Sequence, residues 1–403
     1  MPRSSKNATL LIFILACLTM VGPLTIDLYL PAFPEIKQNF HTSDTMVQLT
    51  LAGTALGFAV GQLFVGPWSD TVGRRKPLLI CSALHSVACL SAVIAPNIEL
   101  LAVSRIVQGV AAASSMAVAR AAVRDLFEGD ELVKALARVA LVMGIAPLAA
   151  PVIGSQLLRF TTWRGLFVFL AIFGLLMFLA VLFVLPETLA PERRKAAQRE
   201  SKYATLLSDK KFMGIVLAGG FMTGVMFTYI SSSSFVFQDI YGLNAQQFGY
   251  LFTAISLANL AGMQIGSRLI RRFSGVKVLI VATFVTLLGC IVILITDEIN
   301  NSIFSIIIPL WLTILCLGMC FISVQVLSLA NHANEAGTAA ALMGASQFGV
   351  SAVATPIAGL FGLTSVKPMV FVMLGFATFA LASIVFAVKP FSSDARRNSK
   401  RVE

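Results

Sequence analysis

The chain has 403 residues, 57% of them hydrophobic and only 12% charged, with a mean hydropathy of +0.87. That balance excludes an ordinary soluble protein and points to a polytopic membrane protein. The formal net charge of +11 raises nucleic acid or anionic lipid as partners, and the positions of the cations decide between them.

Apolar runs of roughly 18 to 25 residues, broken by charge clusters and by Pro or Asn turns, predict about twelve membrane spans. They lie near 9–31, 44–66, 77–96, 99–120, 132–157, 165–185, 212–234, 245–269, 277–296, 302–329, 337–363 and 368–388. Arg3 and Lys6 before Leu10 to Cys17 imitate a signal peptide, but the apolar run continues to Leu30, which is span length and too long for a removed segment. An even count places both termini on one side. Of the 30 Lys and Arg, 25 then fall near that face, leaving Lys37, Arg159, Arg164 and Lys367 elsewhere and Arg105 within a span. The positive-inside bias makes that face cytoplasmic. The charge is therefore a topology signal and a contact for anionic lipid, and nucleic acid is not expected.

The first span closes on Ile26-Asp27-Leu28-Tyr29-Leu30-Pro31-Ala32-Phe33-Pro34. Between the second and third spans lies the basic turn Gly66-Pro67-Trp68-Ser69-Asp70-Thr71-Val72-Gly73-Arg74-Arg75-Lys76. The fourth span carries Arg105, Gln108 and Gly109 and leads into Ala119-Arg120-Ala121-Ala122-Val123-Arg124-Asp125-Leu126-Phe127. In the fifth, Pro147 and Pro151 each withdraw a backbone donor, while Gly144 and Gly154 let another helix approach. The one long hydrophilic interior stretch, 186–211, divides the chain into 1–185 and 212–403, six spans each, with a short basic tail at the end of the second. Gly61, Gln62, Gly66 and Arg74-Arg75 are loosely echoed by Gly262, Gln264, Gly266 and Arg271-Arg272. Parallel repeats of six helices place a cargo site between the halves near the midplane.

Gly66, Asp70, Gly73, Arg74 and Arg75 resemble the signature of the major facilitator superfamily between its second and third helices. Arg105, Gln108 and Gly109 match its Arg-x-x-Gln-Gly signature. Gly144, Pro147, Pro151 and Gly154 look like its antiporter motif in a variant spacing. The stretches at Asp27 and Arg120 are similar to the Bcr/CflA branch of proton-driven drug exporters, which includes bicyclomycin and chloramphenicol resistance proteins. The resemblance is dense from Asp27 to Phe167 and sparse in the second half. It implies an all-α integral membrane protein of twelve transmembrane helices in two six-helix bundles, the major facilitator fold. It also implies a monomeric exporter in the cytoplasmic (inner) membrane that trades protons for small, largely apolar drugs. By the same resemblance, Asp70 and Arg74 join Asp125 in a cytoplasmic latch with Gly66, Gly73 and Arg75.

A charge inside a span is costly and marks a functional candidate. At roughly 1.5 Å per residue, Asp27 and Arg105 lie about 6 to 9 Å deep from the same side, close enough to meet. Asp27 would carry the exchangeable proton and Arg105, which does not release its own, would tune it or hold cargo. The alternative is a static ion pair that only fixes helix packing. Tyr29, Met226, Phe227, Tyr229, Gln347 and Phe348 are the candidate cargo wall, in competition with ordinary packing. His85, His41 and His332 read as satisfied or solvated side chains, with His85 able to titrate near neutrality only if it faces a cavity. The six cysteines all fall in spans without CxxC spacing and read as small hydrophobes. No HExxH, GxSxG or GxxxxGK[ST] is present, so neither an enzyme nor an ATP-driven pump is expected, nor any metal or cofactor. Proton-coupled movement of a nutrient or metabolite remains the competing transport reading, because one fold serves several functions. A membrane enzyme or sensor is a remote third.

Overall fold

The computed structural model describes residues 5–192, 194, 203–299, 302–330, 332 and 336–388. Arg3, Asn331, Asn334, the basic tail from Lys389 and the four linker cations Arg193, Lys195, Arg199 and Lys202 lie outside them. Twelve long helices follow one another: α1 Ser5–Asp27, α2 Asp44–Val72, α3 Arg75–Val93, α4 Ile98–Leu126, α5 Gly129–Leu157, α6 Trp163–Phe183, α7 Lys210–Phe235, α8 Ala245–Arg272, α9 Gly275–Ile299, α10 Ile303–Leu329, α11 Ala336–Leu360 and α12 Lys367–Val388. By length and composition, twelve segments can cross a membrane, and no described residue is in a strand. The chain is a multi-pass membrane protein. A hydrocarbon environment leaves no water for backbone groups, which is why the helices are long and their starts capped. Asn97 accepts from Leu100 N, Asp209 from Lys211 N and Phe212 N, and Asn244 with Gln247 forms a reciprocal capping box on α8.

Several boundaries differ from the sequence expectation; the fourth helix, expected to end near residue 120, runs to Leu126 and carries Arg120, Arg124 and Asp125, and two further differences shape the site. The first helix ends at Asp27, not near residue 31, and the chain turns through a short 3-10 helix Leu30–Ala32 into a short α-helix Phe33–Asn39. Pro31 and Pro34 explain this, since neither has an amide to donate to the carbonyl one turn back. At the other end, α2 runs on to Val72, so Gly66 and Asp70 sit in its last two turns and only Gly73 and Arg74 separate it from α3.

Helices α1 to α6 pack among themselves through α2 on α4, α3 on α4 and α6, and α1 on α4 and α5. Helices α7 to α12 repeat the scheme, with α8 and α9 on α10 and α7 on α11 and α12. Gly57 meets Gly109 where α2 crosses α4, and Gly262 meets Gly318 where α8 crosses α10. Small residues at such crossings let backbones approach closely. This fixes the register of the internal echo one turn away from the sequence expectation: Gly57 and Gly61 correspond to Gly262 and Gly266. The six-helix sets touch along α2 with α11, α5 with α8, and the segment after α1 with α7.

Candidate functional site

At the end of the bundle that carries the basic turn, Arg74 is the centre of a charge cluster. Its Nη1 donates to Asp70 Oδ1 at 2.5 Å and to Ser69 Oγ at 2.7 Å, and its Nε donates to Asp125 Oδ2 at 2.9 Å. The Arg74 and Asp125 side chains are 9% and 10% exposed, whereas Asp70 is 46% exposed, so the Arg74–Asp125 arm is the desolvated one. Burial alone would lower the Arg74 guanidinium, but the hydrogen bond to Asp125 and the charges of Asp70 and Asp125 outweigh it and hold it above its usual range. Arg75 turns away and donates to Leu182 O at 2.7 Å, securing the end of α6. Gly66 has open space where a Cβ would stand, so nothing steric requires glycine there in this conformation.

Glu187, just beyond α6, is a member of this cluster that sequence reasoning missed. Its Oε1 accepts from Arg74 N at 2.8 Å, Thr188 N at 2.9 Å and Leu189 N at 3.0 Å, and its Oε2 from Arg75 N at 3.3 Å. Arg74 supplies no side-chain cap to α3, so Glu187 satisfies the first amides of that helix and places a negative charge at its positive end. Burial alone would raise its carboxyl, but the backbone donors of Leu189, Arg74 and Arg75 and the charge of Arg194 outweigh it and hold it below the usual range. Gly73 stands at φ 99°, and a Cβ on it would lie 2.2 Å from Glu187 Oε2. Glycine is thus needed both for the backbone and for the carboxylate. Thr188 Oγ1 also donates to Asp125 Oδ2 at 3.4 Å, so the start of the 186–211 stretch is docked on the cluster.

Within the membrane-spanning region Arg105 is fully buried, and its Nε has no hydrogen-bond partner among the described residues. Nη2 donates to Thr25 O at 2.6 Å and Nη1 to Gln108 Oε1 at 2.5 Å, while the guanidinium lies 4.0 Å above the Tyr29 ring and 5.6 Å from that of Phe167. Thr25 Oγ1 contacts His85 Nε2 at 2.9 Å, and His85 is fully buried beside Cys89. His85 is therefore a satisfied packing residue facing no cavity. Asp27 is buried two residues beyond Thr25, and among the described residues it has no ion-pair partner within 4.0 Å. Asp27 and Arg105 do not form the ion pair that their depths suggested.

The other candidate residues fall along the seam. Tyr29 is fully buried with its hydroxyl 3.2 Å from Thr50 Oγ1. Tyr229 is fully buried, stacked on Phe252, with no partner for its hydroxyl among the described residues. Phe348 touches Phe58 across the seam at 4.7 Å and Phe227 at 5.9 Å, whereas Met226 and Gln347 are half-buried. On α5, a Cβ at Gly154 would lie 1.9 Å from Leu28 O, so glycine admits the turn after Asp27. Gly144 faces Leu260 at an ordinary 3.8 Å. Around Pro147 and Pro151, α8 supplies donors to α5: Thr253 Oγ1 to Leu148 O at 2.8 Å and Gln246 Nε2 to Ser155 O at 2.7 Å.

A model of the major facilitator superfamily matches residues 15–356, and the motifs of the Arg74 and Arg105 sites lie inside that match. The chain belongs to the major facilitator superfamily. It is 36% identical over 392 residues to the uncharacterized MFS-type transporter YdgK of Bacillus subtilis, covering 95% of this chain and 96% of that one. It is 29% identical over 377 residues to the bicyclomycin resistance protein homolog of Haemophilus influenzae, covering 92% and 94%. Its fold is similar to that of the xylose transporter XylE from E. coli, with a TM-score of 0.74 over 96% of this chain and 100% of that one at 12% identity. Superfamily members carry small molecules across membranes, and the chain is a transporter, not an enzyme. The expected all-α, twelve-helix, two-bundle fold holds.

Proposed function

We propose that this superfamily member exports small, largely apolar drugs from the cytoplasm across the inner membrane in exchange for protons, as a monomer, by alternating access. The observation that carries the reading is Asp27: a buried carboxylate at the end of α1 without a fixed counter-ion among the described residues, while the two terminal nitrogens of Arg105 are committed to Thr25 and Gln108. A carboxylate held by a permanent ion pair is a packing device, whereas one without such a partner is free to change protonation as the surroundings open and close. The likeness to a bicyclomycin resistance homolog supports a drug as cargo.

In this reading the halves are 1–185 and 212–403, joined by 186–211, with both termini cytoplasmic, and Asp27 takes up H+ from outside as cargo leaves. Tyr29, Met226, Tyr229, Gln347 and Phe348 supply aromatic and polar contacts to the cargo, and Tyr229 brings a hydroxyl that lacks a partner among the described residues. The Arg74–Asp70–Asp125 cluster latches the basic end, and α5, with Gly144, Pro147, Pro151 and Gly154, forms the interface along which the halves rock. Drug-susceptibility profiling tests the reading. Expression in an efflux-deficient host is expected to raise resistance to bicyclomycin-like or chloramphenicol-like compounds and to lose that effect with a protonophore. Unchanged susceptibility to every compound, with rescue of an auxotroph instead, would favour a nutrient.

A further inference from the structure

We propose that Gln48, with the serine run of α7, is a polar clasp that holds the halves together at the end remote from Arg74 and sets how much of the protein stays in this conformation. The proposal rests on the alternating-access reading above. Gln48 lies in the second turn of α2 and is fully buried. Its Nε2 donates to Ser231 Oγ at 3.3 Å and Ser232 Oγ at 3.2 Å, and its Oε1 accepts from Gly359 N at 3.0 Å. One side chain of the first half thus spends its donor on α7 and its acceptor on α11, both in the second half. An amide buried at this depth is costly unless paired, and here all its pairing comes from across the seam.

The partners are built for this contact. Ser231 to Ser234 are four consecutive serines, all fully buried, a composition that weakens a helix unless the small polar groups have work elsewhere. Ser234 Oγ donates to Leu30 O at 2.7 Å in the first half, and Ser231 Oγ ties α7 to Thr355 O on α11 at 3.0 Å. Just beyond, α7 widens into a π-turn, Val236–Ile240, from which Gln238 Nε2 reaches Pro31 O at 3.1 Å. Gly359 completes the arrangement: a Cβ there would lie 2.4 Å from Gln48 Oε1 and 2.9 Å from the Thr45 backbone. When the halves part at this end, Gln48 must exchange every one of these partners for water, so the clasp weights this conformation against its alternative.

Spin labels at Glu99→Cys and Thr364→Cys, exposed positions on the two halves at this end, read the separation in the otherwise intact protein, whose six native cysteines are buried. Gln48→Leu removes the hydrogen bonds at similar volume, and Gly359→Ala wedges the same contact. Both are expected to raise the ratio of the long- to the short-distance population by about threefold or more, the order for loss of one to three interhelical hydrogen bonds in a membrane. A purely structural role would lower thermal stability and leave the ratio unmoved, which would overturn the proposal. A single short-distance population in the wild type and in both variants would overturn alternating access as well. Should Gln48→Leu not fold, Gly359→Ala carries the same two outcomes.

Discussion

Arg105 donates to the backbone carbonyl of Thr25 at 2.6 Å, two residues before Asp27 on the same helix end. The guanidinium therefore does not neutralise the carboxylate; it positions the turn that presents it. Its planar fork also reaches Gln108 while stacking on Tyr29, which a lysine ammonium cannot do at once. Arg105→Lys and Arg105→Ala are expected to lower transport by roughly tenfold or more, as for loss of a charge-assisted hydrogen bond of about 1.5–3 kcal/mol. Initial rates at matched expression check this, and a fully active Arg105→Lys would refute the positioning role.

The Arg74 cluster gives a coupling that can be measured. Arg74→Ala and Asp125→Asn each break the same desolvated bond, so their effects are expected to be non-additive, with an interaction of roughly 0.5–3 kcal/mol between contacting residues. A double-mutant cycle on thermal stability, with transport rates alongside, reads it. Asp70, more exposed and screened by water, is expected to couple to Arg74 more weakly.

Glu187 makes a pH prediction. Its carboxyl is held below the usual range in the folded protein, so the stability it supplies is present above the unfolded value and is lost as pH falls through the depressed folded value. Glu187→Gln is therefore expected to melt at a lower temperature than wild type near neutrality, with the difference shrinking below about pH 4. Melting curves across pH 3 to about 7 test it. A difference that grows on acidification would contradict the assignment.

Much of this architecture was legible in the sequence. Apolar length and cation placement gave twelve spans, because those signals are additive along the chain and independent of packing. Asp70, Arg74 and Asp125 were expected as a group from the resemblance to the superfamily, and they do meet. What was illegible depends on partners distant in sequence. Glu187 looks like one acid in a hydrophilic stretch until the fold brings it to the start of α3, more than a hundred residues back. Gln48 and the serines look like polar interruptions of apolar spans until the two halves face each other. Asp27 and Arg105 were matched by depth, but depth does not fix azimuth around a helix, and Arg105 points at Thr25 O and Gln108 instead.

Gly154 separates two kinds of residue in the α5 motif. A Cβ there meets the Leu28 carbonyl, a backbone atom that cannot swing aside, whereas Gly144 has an ordinary contact. Gly154→Ala is expected to destabilise the protein by about 1–3 kcal/mol and to disturb the turn after Asp27, while Gly144→Ala is nearly silent in thermal stability. Equal melting temperatures for the two variants would show that the approach of α5 to Leu28 is looser than it stands here.

The most direct test of proton exchange at Asp27 is counterflow in proteoliposomes with an imposed pH gradient, comparing wild type with Asp27→Asn under drug and proton readouts together. Wild type is expected to move drug against its gradient with opposite proton flux, while Asp27→Asn folds and binds drug but loses both the uphill movement and the proton flux. Gradient-driven drug movement of wild-type rate in Asp27→Asn would contradict a proton carried on this carboxylate.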